Sequence, residues 1–440
     1  MQYPVLPDTE RDSHLFVTLA GRTITWHLVH ADYKDGTSEI ETLVLPVPRD
    51  FSADELDDLL SQGFNVWAED IGWDLIDCEK EICLLSLCEG ECVAGASLIA
   101  AAPYDIEPIN SLVLETSSEK FDSQSYIDAA AHYFRKFGLS HLVYVVLNWE
   151  GIRVLYVSNQ GRTIGSQEGI VVREMQIEPS FLDDISTSSL SSLLSVRVRN
   201  DVRIDTISNV RTRGINTCVS QEVQDILRAY LTAALFGVKD SGLQSFGIDT
   251  PDGAVLITGD IPRSLPVASS ILSVIDGLQL RGRYRIAVDR DLRSIPGGYA
   301  AKSKVFAFPM YSVFPVWYQY ISTEKGGGGR EGETAFRGFI RALYTDRNGI
   351  QEDLLVGQTG RIIASKVEGG GKLYLEPAKK VYFPNMMQEK YEGRRYFVAE
   401  YGSMVSSVIV DCRKIPVVYG PDAEANYKRV RDWIHSLPKN

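Results

Sequence analysis

The stretch that decides the fold is His141–Gly165, HLVYVVLNWEGIRVLYVSNQGRTIG. Two apolar runs, Leu142–Leu147 and Ile152–Val157, are separated by Asn148–Gly151, and a further turn follows at Asn159–Gly161. Short runs of Val, Ile, Leu and Tyr bounded by Asn and Gly read as strands of a β-hairpin. Upstream, HLFVTLAGRTITWHLVHADYKDG repeats the signal: Leu15, Val17 and Leu19, then Ile24, Trp26 and Leu28, with a turn near Gly21. Between the two hairpins lie a short amphipathic helix (SADELDDLLSQGF), strand-like runs (ICLLSLC and CVAGASLIAAAPY) and a helix, DSQSYIDAAAHYFRKFG. The last is capped near Ser123 or Ser125 and stopped by Gly138.

Downstream, SFLDDISTSSLSSLLSVRVRN is serine-rich but keeps leucines at helical spacing, which predicts a helix. SQEVQDILRAYLTAALFGV is the strongest helix, with Val223, Ile226, Leu227, Tyr230, Leu231 and Leu235 on one side. GAVLITGD reads as a buried strand, PVASSILSVIDGLQL as a helix and YRIAVDRD as a strand. Lys325–Glu333, KGGGGREGE, is the clear linker. Beyond it come successive strand-like runs and a final amphipathic helix, EANYKRVRDWIHSL.

The 440 residues carry 45 basic and 58 acidic side chains, a formal net charge of −13. That balance argues against broad nucleic-acid binding, which needs a positive field. No apolar run reaches the ~18 residues of a membrane-spanning helix, so no membrane insertion is expected. MQYPVLPDTERDSH lacks a basic segment followed by an apolar stretch, so a cytoplasmic protein is expected rather than a secreted one. Four of six cysteines, Cys78, Cys83, Cys88 and Cys92, fall in DCEKEICLLSLCEGEC. Metal pairs usually flank turn residues, whereas Ile82, Leu84, Leu85 and Leu87 here read as a buried strand. Cys83 and Cys88 would then point to opposite faces. Thiols in a reducing compartment is the preferred reading, with a metal cluster as the alternative.

Two hairpins in one α/β chain, each with a turn at which a phosphate can sit, suggest the duplicated ribonuclease H-like fold of actin, sugar kinases and heat-shock-chaperone ATPases. Later segments resemble one branch of that superfamily. ILSVIDGLQLRGRYRIAVDRDLRSIPGGYAA is similar to the end of the ATPase domain in the glutamate mutase L family, through Leu278, Gln279, Asp289, Pro296, Gly298, Ala300 and Ala301. VGQTGRIIASKVEGGGKLYLEPAKKV resembles that family's C-terminal part, and Ile409, Asp411, Arg413, Pro416, Arg429 and Trp433 match its ending. The similarity runs from about Gly247 to Leu437 and rests on order and spacing. It implies an actin-like ATPase fold followed by a small β-rich C-terminal domain. The expected division is a first, degenerate lobe over 1–138, a second lobe over 139–323, a linker over 324–334, and a β-rich domain with a terminal helix over 335–440. It also implies an association with cobalamin-dependent mutases.

In that fold, two turns of the form D-x-G-[ST/G] hold the phosphates, with the Asp on Mg²⁺ or water. In the first window, VTLAGRT, Thr18 stands at the Asp position and Ala20–Gly21 replace the glycine pair. In the second, VVLNWEGIRV, Asn148 stands near it, Trp149 and Glu150 follow, and Gly151 is retained. A third element, a double glycine under the adenosine, reads LITGDIP, with Gly259 kept and Asp260 in place of the next. Thr and Asn carry no charge, so Mg²⁺ binding is weakened. Gly151 and Gly259 also fit as ordinary hairpin and strand–helix glycines. Asn148 and Glu150 are the vestigial catalytic candidates, and Thr18, Gly21, Gly151, Gly259 and Asp260 the vestigial nucleotide positions. No cofactor is expected, ATP with Mg²⁺ being the alternative. Asp411 and Arg413 read as a turn with a local salt bridge.

The histidines form no metal pattern, and no other catalytic motif is present. FAFPMYSVFPVWYQYIS, Phe306–Ser322, packs seven aromatic residues around two prolines. The prolines argue against a regular central strand, leaving interdomain core or a docking surface. The expectation is therefore a pseudo-ATPase, an accessory or scaffold protein working through protein partners or self-association, more a binder than an enzyme. A weak ATPase that reactivates or assembles a mutase, and an actin-like adaptor of pilus or division type, are the alternatives.

Overall fold

The structure is a computed structural model. It describes the backbone of residues 12–20, 23–32, 37–46, 80–86, 170–177, 220–240, 253–290, 316–323 and 330–342, and most positions within 126–159, 190–206, 352–414 and 417–438, with Ser294. The chain divides into two compact units, one of residues 1–132, 212–214 and 291–313, the other of 133–211, 215–290 and 314–440.

The first unit contains a four-stranded sheet of β1 (Asp12–Ala20), β2 (Thr23–Asp32), β3 (Thr37–Pro46) and β4 (Lys80–Ser86), in the order β3-β2-β1-β4. β1, β2 and β3 form an antiparallel meander, and β4 returns parallel to β1. Ala20 pairs with Thr23, so the hairpin expected near Gly21 has a two-residue connection.

The second unit repeats that plan and extends it. β5 (His141–Asn148), β6 (Gly151–Asn159) and β7 (Ile170–Ile177) form an antiparallel meander. β8 (Gly253–Thr258) lies parallel to β5, and β9 (Arg283–Val288) parallel to β8. The order β7-β6-β5-β8-β9, with β6 alone antiparallel to β5, is the ribonuclease H-like arrangement. A meander followed by a parallel strand occurs in both units, and that duplication defines the actin-like α/β fold.

Helices occupy the β7–β8 and β8–β9 crossovers, as parallel strands require. α1 (Gln221–Asp240) lies between β7 and β8 in sequence. The five-residue α2 (Asp260–Ser264) and α3 (Val267–Leu278) lie between β8 and β9. Ile226, Leu227, Tyr230, Leu231 and Leu235 on α1 are buried together, as their spacing predicts, and Val223 packs at the margin. α1 and α3 approach closely at Gly277, where a Cβ would lie 2.4 Å from Leu235 Cβ. The helix ending at Gly138 stops as expected: Gly138 has φ +57°, its N–H reaches Arg135 O, and Leu139 N–H reaches Phe134 O.

Three further strands widen this sheet to eight: β10 (Trp317–Ser322), β13 (Ile362–Lys366) and β17 (Val405–Asp411), in the order β13-β17-β10-β9. β10 overturns the expectation drawn from the prolines. It is a fully buried strand between β9 and β17, with a shift of register against β17 between Trp317 and Tyr318, and it sets Trp317, Tyr318 and Tyr320 in the core of this unit. Pro309 and Pro315 precede it, so no ladder hydrogen bond is lost. Residues 306–315 lie outside the described residues.

β11 (Thr334–Ala342), β12 (Glu352–Gln358), β14 (Gly371–Pro377), β15 (Met387–Tyr391) and β16 (Arg394–Tyr401) form a separate antiparallel sheet, ordered β12-β11-β14-β16-β15. The segment 335–440 thus supplies one sheet of its own and two strands of the larger one. Its last helix, α4 (Ala423–Ser436), is capped by Asp422, whose carboxylate accepts from the N–H groups of Glu424 and Ala425.

The helix expected over Ser180–Asn200 gives way to irregular backbone after Ser191, residues 180–189 and Asn200 lying outside the described residues. Among its described residues, only Leu190 and Ser191 are helical. The cause is tertiary: the buried Asp225 carboxylate accepts from the N–H groups of Ser195 (2.6 Å) and Val196 (3.2 Å), satisfying donors that a helix would have used internally.

Candidate functional site

In open α/β sheets, ligands sit beyond the carboxyl ends of the parallel strands. Here β5, β8 and β9 end at Asn148, Thr258–Gly259 and Val288–Asp289. Asn148 pairs with Gly151 across the β5–β6 hairpin, which leaves a two-residue connection. Gly151 lies close to the next strand, since a Cβ there would sit 3.1 Å from Ile177 O, a tight contact.

Gly259 has φ +115° and ψ 175°, a conformation in which any side chain is strained. A Cβ there would also lie 2.4 Å from Leu147 O and 2.7 Å from Asn148 Oδ1. So the glycine is required by the end of β5 itself. Asn148 is only 9% exposed and turns its amide oxygen toward this glycine.

Asp289 supplies a carboxylate at this edge. It is buried, its N–H donates to Ile257 O at 2.7 Å, and its Oδ2 accepts from Thr258 Oγ1 at 3.0 Å. Burial, then the nearby Tyr144 and Asp289, hold the Tyr133 phenol well above its ordinary value. Asp289 was visible in sequence as a strand-terminal acid, but its partnership with Thr258 was not.

The structure brings Asn148, Gly151 and Gly259 together. Asp260 begins α2 beside them. Thr18 lies on β1 of the other unit's sheet, paired with Thr25 and Leu85. Gly21, Trp149 and Glu150 lie outside the described residues. So do Cys78, Cys88 and Cys92, while Cys83 lies on β4.

Asp411 and Arg413 do form the expected pair, and it is larger and more buried than a local turn. Asp411 accepts from Arg413 Nε at 2.9 Å and from its terminal nitrogen at 2.7 Å. That nitrogen also lies 2.7 Å from Asp276 Oδ1 on α3. Tyr320 donates to Asp411 at 3.1 Å and Tyr419 to Asp276 at 2.5 Å. The Trp433 ring lies 4.5 Å from the guanidinium carbon. Gln279, in the left-handed conformation at φ +53°, closes α3 and accepts from Val417 N–H. Burial alone would lower the Arg413 pKa, but Asp276 and Asp411 override it and raise it well above its usual value. The sequence features that carried the family resemblance at Gln279, Asp411, Arg413 and Trp433 therefore converge on one structural network. It fastens the C-terminal segment to α3.

No family model and no curated protein matches the chain. Solved structures do. The ethanolamine utilization protein EutJ from Carboxydothermus hydrogenoformans is 13% identical with a TM-score of 0.38, over 68% of this chain and 91% of that one. A Ppx/GppA family member from Aquifex aeolicus is 8% identical at 0.25, over 56% and 66%. Glucokinase from Balamuthia mandrillaris is 9% identical at 0.32, over 68% and 95%. The strand order and the duplicated meander place the chain in the actin-like ATPase fold class. Among the described residues, no helix is long and apolar enough to cross a membrane.

Proposed function

We propose that this chain is a pseudo-ATPase that works as a cytoplasmic scaffold or accessory protein, through contacts with other proteins rather than turnover. One observation carries the reading. The residue at the end of β5, where the fold's chemistry needs an acid aimed at Mg²⁺ or water, is an uncharged Asn148 packed against Gly259. Asp289, the neighbouring acid, is already engaged by Thr258. The resemblance to the glutamate mutase L family adds a finer expectation, that the partner is a cobalamin-dependent mutase.

Isothermal calorimetry with Mg-ATP tests this. The expected result is no binding. Micromolar binding with hydrolysis that Glu150→Ala abolishes would overturn it and favour an ATP-driven reactivating factor.

A further inference from the structure

The five-stranded sheet has two edges, and they are finished differently. β15 is five residues long and, beside a single exposed Met387, carries Gln388, Glu389 and Lys390, with Arg394 and Arg395 across its hairpin. Short, charged edges are how sheets avoid pairing with other chains. β12, at the other edge, is seven residues long and has no proline. Leu354 is 84% exposed and Val356 is 56% exposed, two positions apart and so on one face. Exposed apolar side chains on an edge strand form a pairing template.

The order of residues on β12 selects the occupant. Laid antiparallel against its own copy about a two-fold axis at Leu355, Leu354 falls opposite Val356 of the second copy. Asp353 falls opposite Gly357, and Glu352 opposite Gln358. The apolar residues meet one another and no two acids face each other. Side chains directly opposite across strands are the unit of sheet stabilisation, and like charges there destabilise it. A shift of the axis to Leu354 would place Asp353 opposite Leu355 and Glu352 opposite Val356, burying acid against apolar side chains.

We propose that β12 pairs antiparallel with β12 of a second copy of this chain, about a two-fold axis at Leu355, joining two five-stranded sheets into one. An isologous interface of this kind is the commonest route to a symmetric dimer. The inference deepens the reading of the chain as a protein that acts through protein contacts, and rests on it only in that respect. A single strand pair is a small interface, so the dimer is a weak one.

Sedimentation velocity of the full chain, without nucleotide, over a concentration series is the test. The wild type is expected to show a concentration-dependent monomer–dimer equilibrium. Leu354→Lys with Val356→Lys places like charges opposite one another at both mixed positions, and the dissociation constant should rise about tenfold or more. Leu354→Lys with Val356→Glu places opposite charges there, and dimerisation should return toward the wild type. Circular dichroism confirms that both variants are folded, as expected for exposed positions. A monomeric wild type at every concentration overturns the proposal, as does equal dimerisation of the two double variants. Because nucleotide is absent, this outcome is separable from the calorimetry. A dimer that hydrolyses ATP sinks the pseudo-ATPase reading alone, and a monomer that ignores ATP sinks the pairing alone.

Discussion

Gly259 sits directly beneath Asn148, so close that a Cβ on the glycine would lie 2.7 Å from the asparagine Oδ1 and 2.4 Å from the preceding carbonyl oxygen. The glycine of a would-be nucleotide motif is thereby explained by the protein's own backbone. Gly259→Ala should destabilise the fold by about 3 kcal/mol, from strain at positive φ and overpacking together. Urea unfolding followed by circular dichroism measures it. A loss under half a kilocalorie, by order of magnitude, would show that β5 and β8 can part there.

A second steric lock lies at the opposite end of the same two strands. A Cβ on Gly253 would lie 1.9 Å from His141 Nε2, and the imidazole is itself held edge-on against Tyr284 at 5.5 Å between ring centroids. Gly253→Ala should cost roughly 1–3 kcal/mol. The double variant Gly253→Ala, His141→Ala should be more stable than the sum of the single losses predicts, because removing the ring removes the clash. A double-mutant cycle reads the coupling directly.

The Arg413 network predicts an asymmetry. Arg413→Met leaves Asp276 and Asp411 buried together without their cation, and should cost about 3–5 kcal/mol. Adding Asp276→Asn and Asp411→Asn should recover part of that loss, since uncompensated charge rather than missing attraction drives it. Thermal unfolding of the single and triple variants decides this. A triple variant less stable than Arg413→Met would refute it.

Alkali should unfold the protein through its buried phenols. Burial, with the Asp411 charge added for Tyr320 and the Asp276 charge for Tyr419, holds both well above the ordinary value of 10.0. A folded pKa above the unfolded one means the unfolded chain releases the proton first. The stabilisation is therefore complete below about pH 10 and is lost as pH climbs from there toward the folded pKa. Tyrosinate absorbance should lag behind that of free tyrosine and then rise together with unfolding. Tyr320→Phe should flatten the alkaline fall in stability.

Much of this architecture was legible locally. Both hairpins announced themselves, through alternating apolar residues around Gly21 and two apolar runs around Asn148–Gly151, because strand pattern and turn chemistry are short-range properties. The α1 face was readable for the same reason. What escaped was set by distant partners. Asp225 dissolves a helix expected near Ser195, and nothing around Ser195 reveals that carboxylate. Asp276 completes a site with Asp411 and Arg413, yet it is remote from that pair in sequence. Pro315 looked prohibitive for a central strand because only the structure shows β10 beginning after it. At the candidate site, the missing acids could be read from Thr18 and Asn148. The packing of Asn148 on Gly259 and the claim of Thr258 on Asp289 could not.

The placement of β10 between β9 and β17 has a consequence for biogenesis. A ribosome completes Trp317–Ser322 before it has made the glycine run, the whole five-stranded sheet or Val405–Asp411. Until then the growing lobe carries a bare edge of Trp, Tyr and Ile, the kind of surface that draws neighbouring nascent chains into aggregates. The far edge of this lobe therefore waits for Val405–Asp411 to be made, and a chain cut short before Asp411 is left with that edge uncovered.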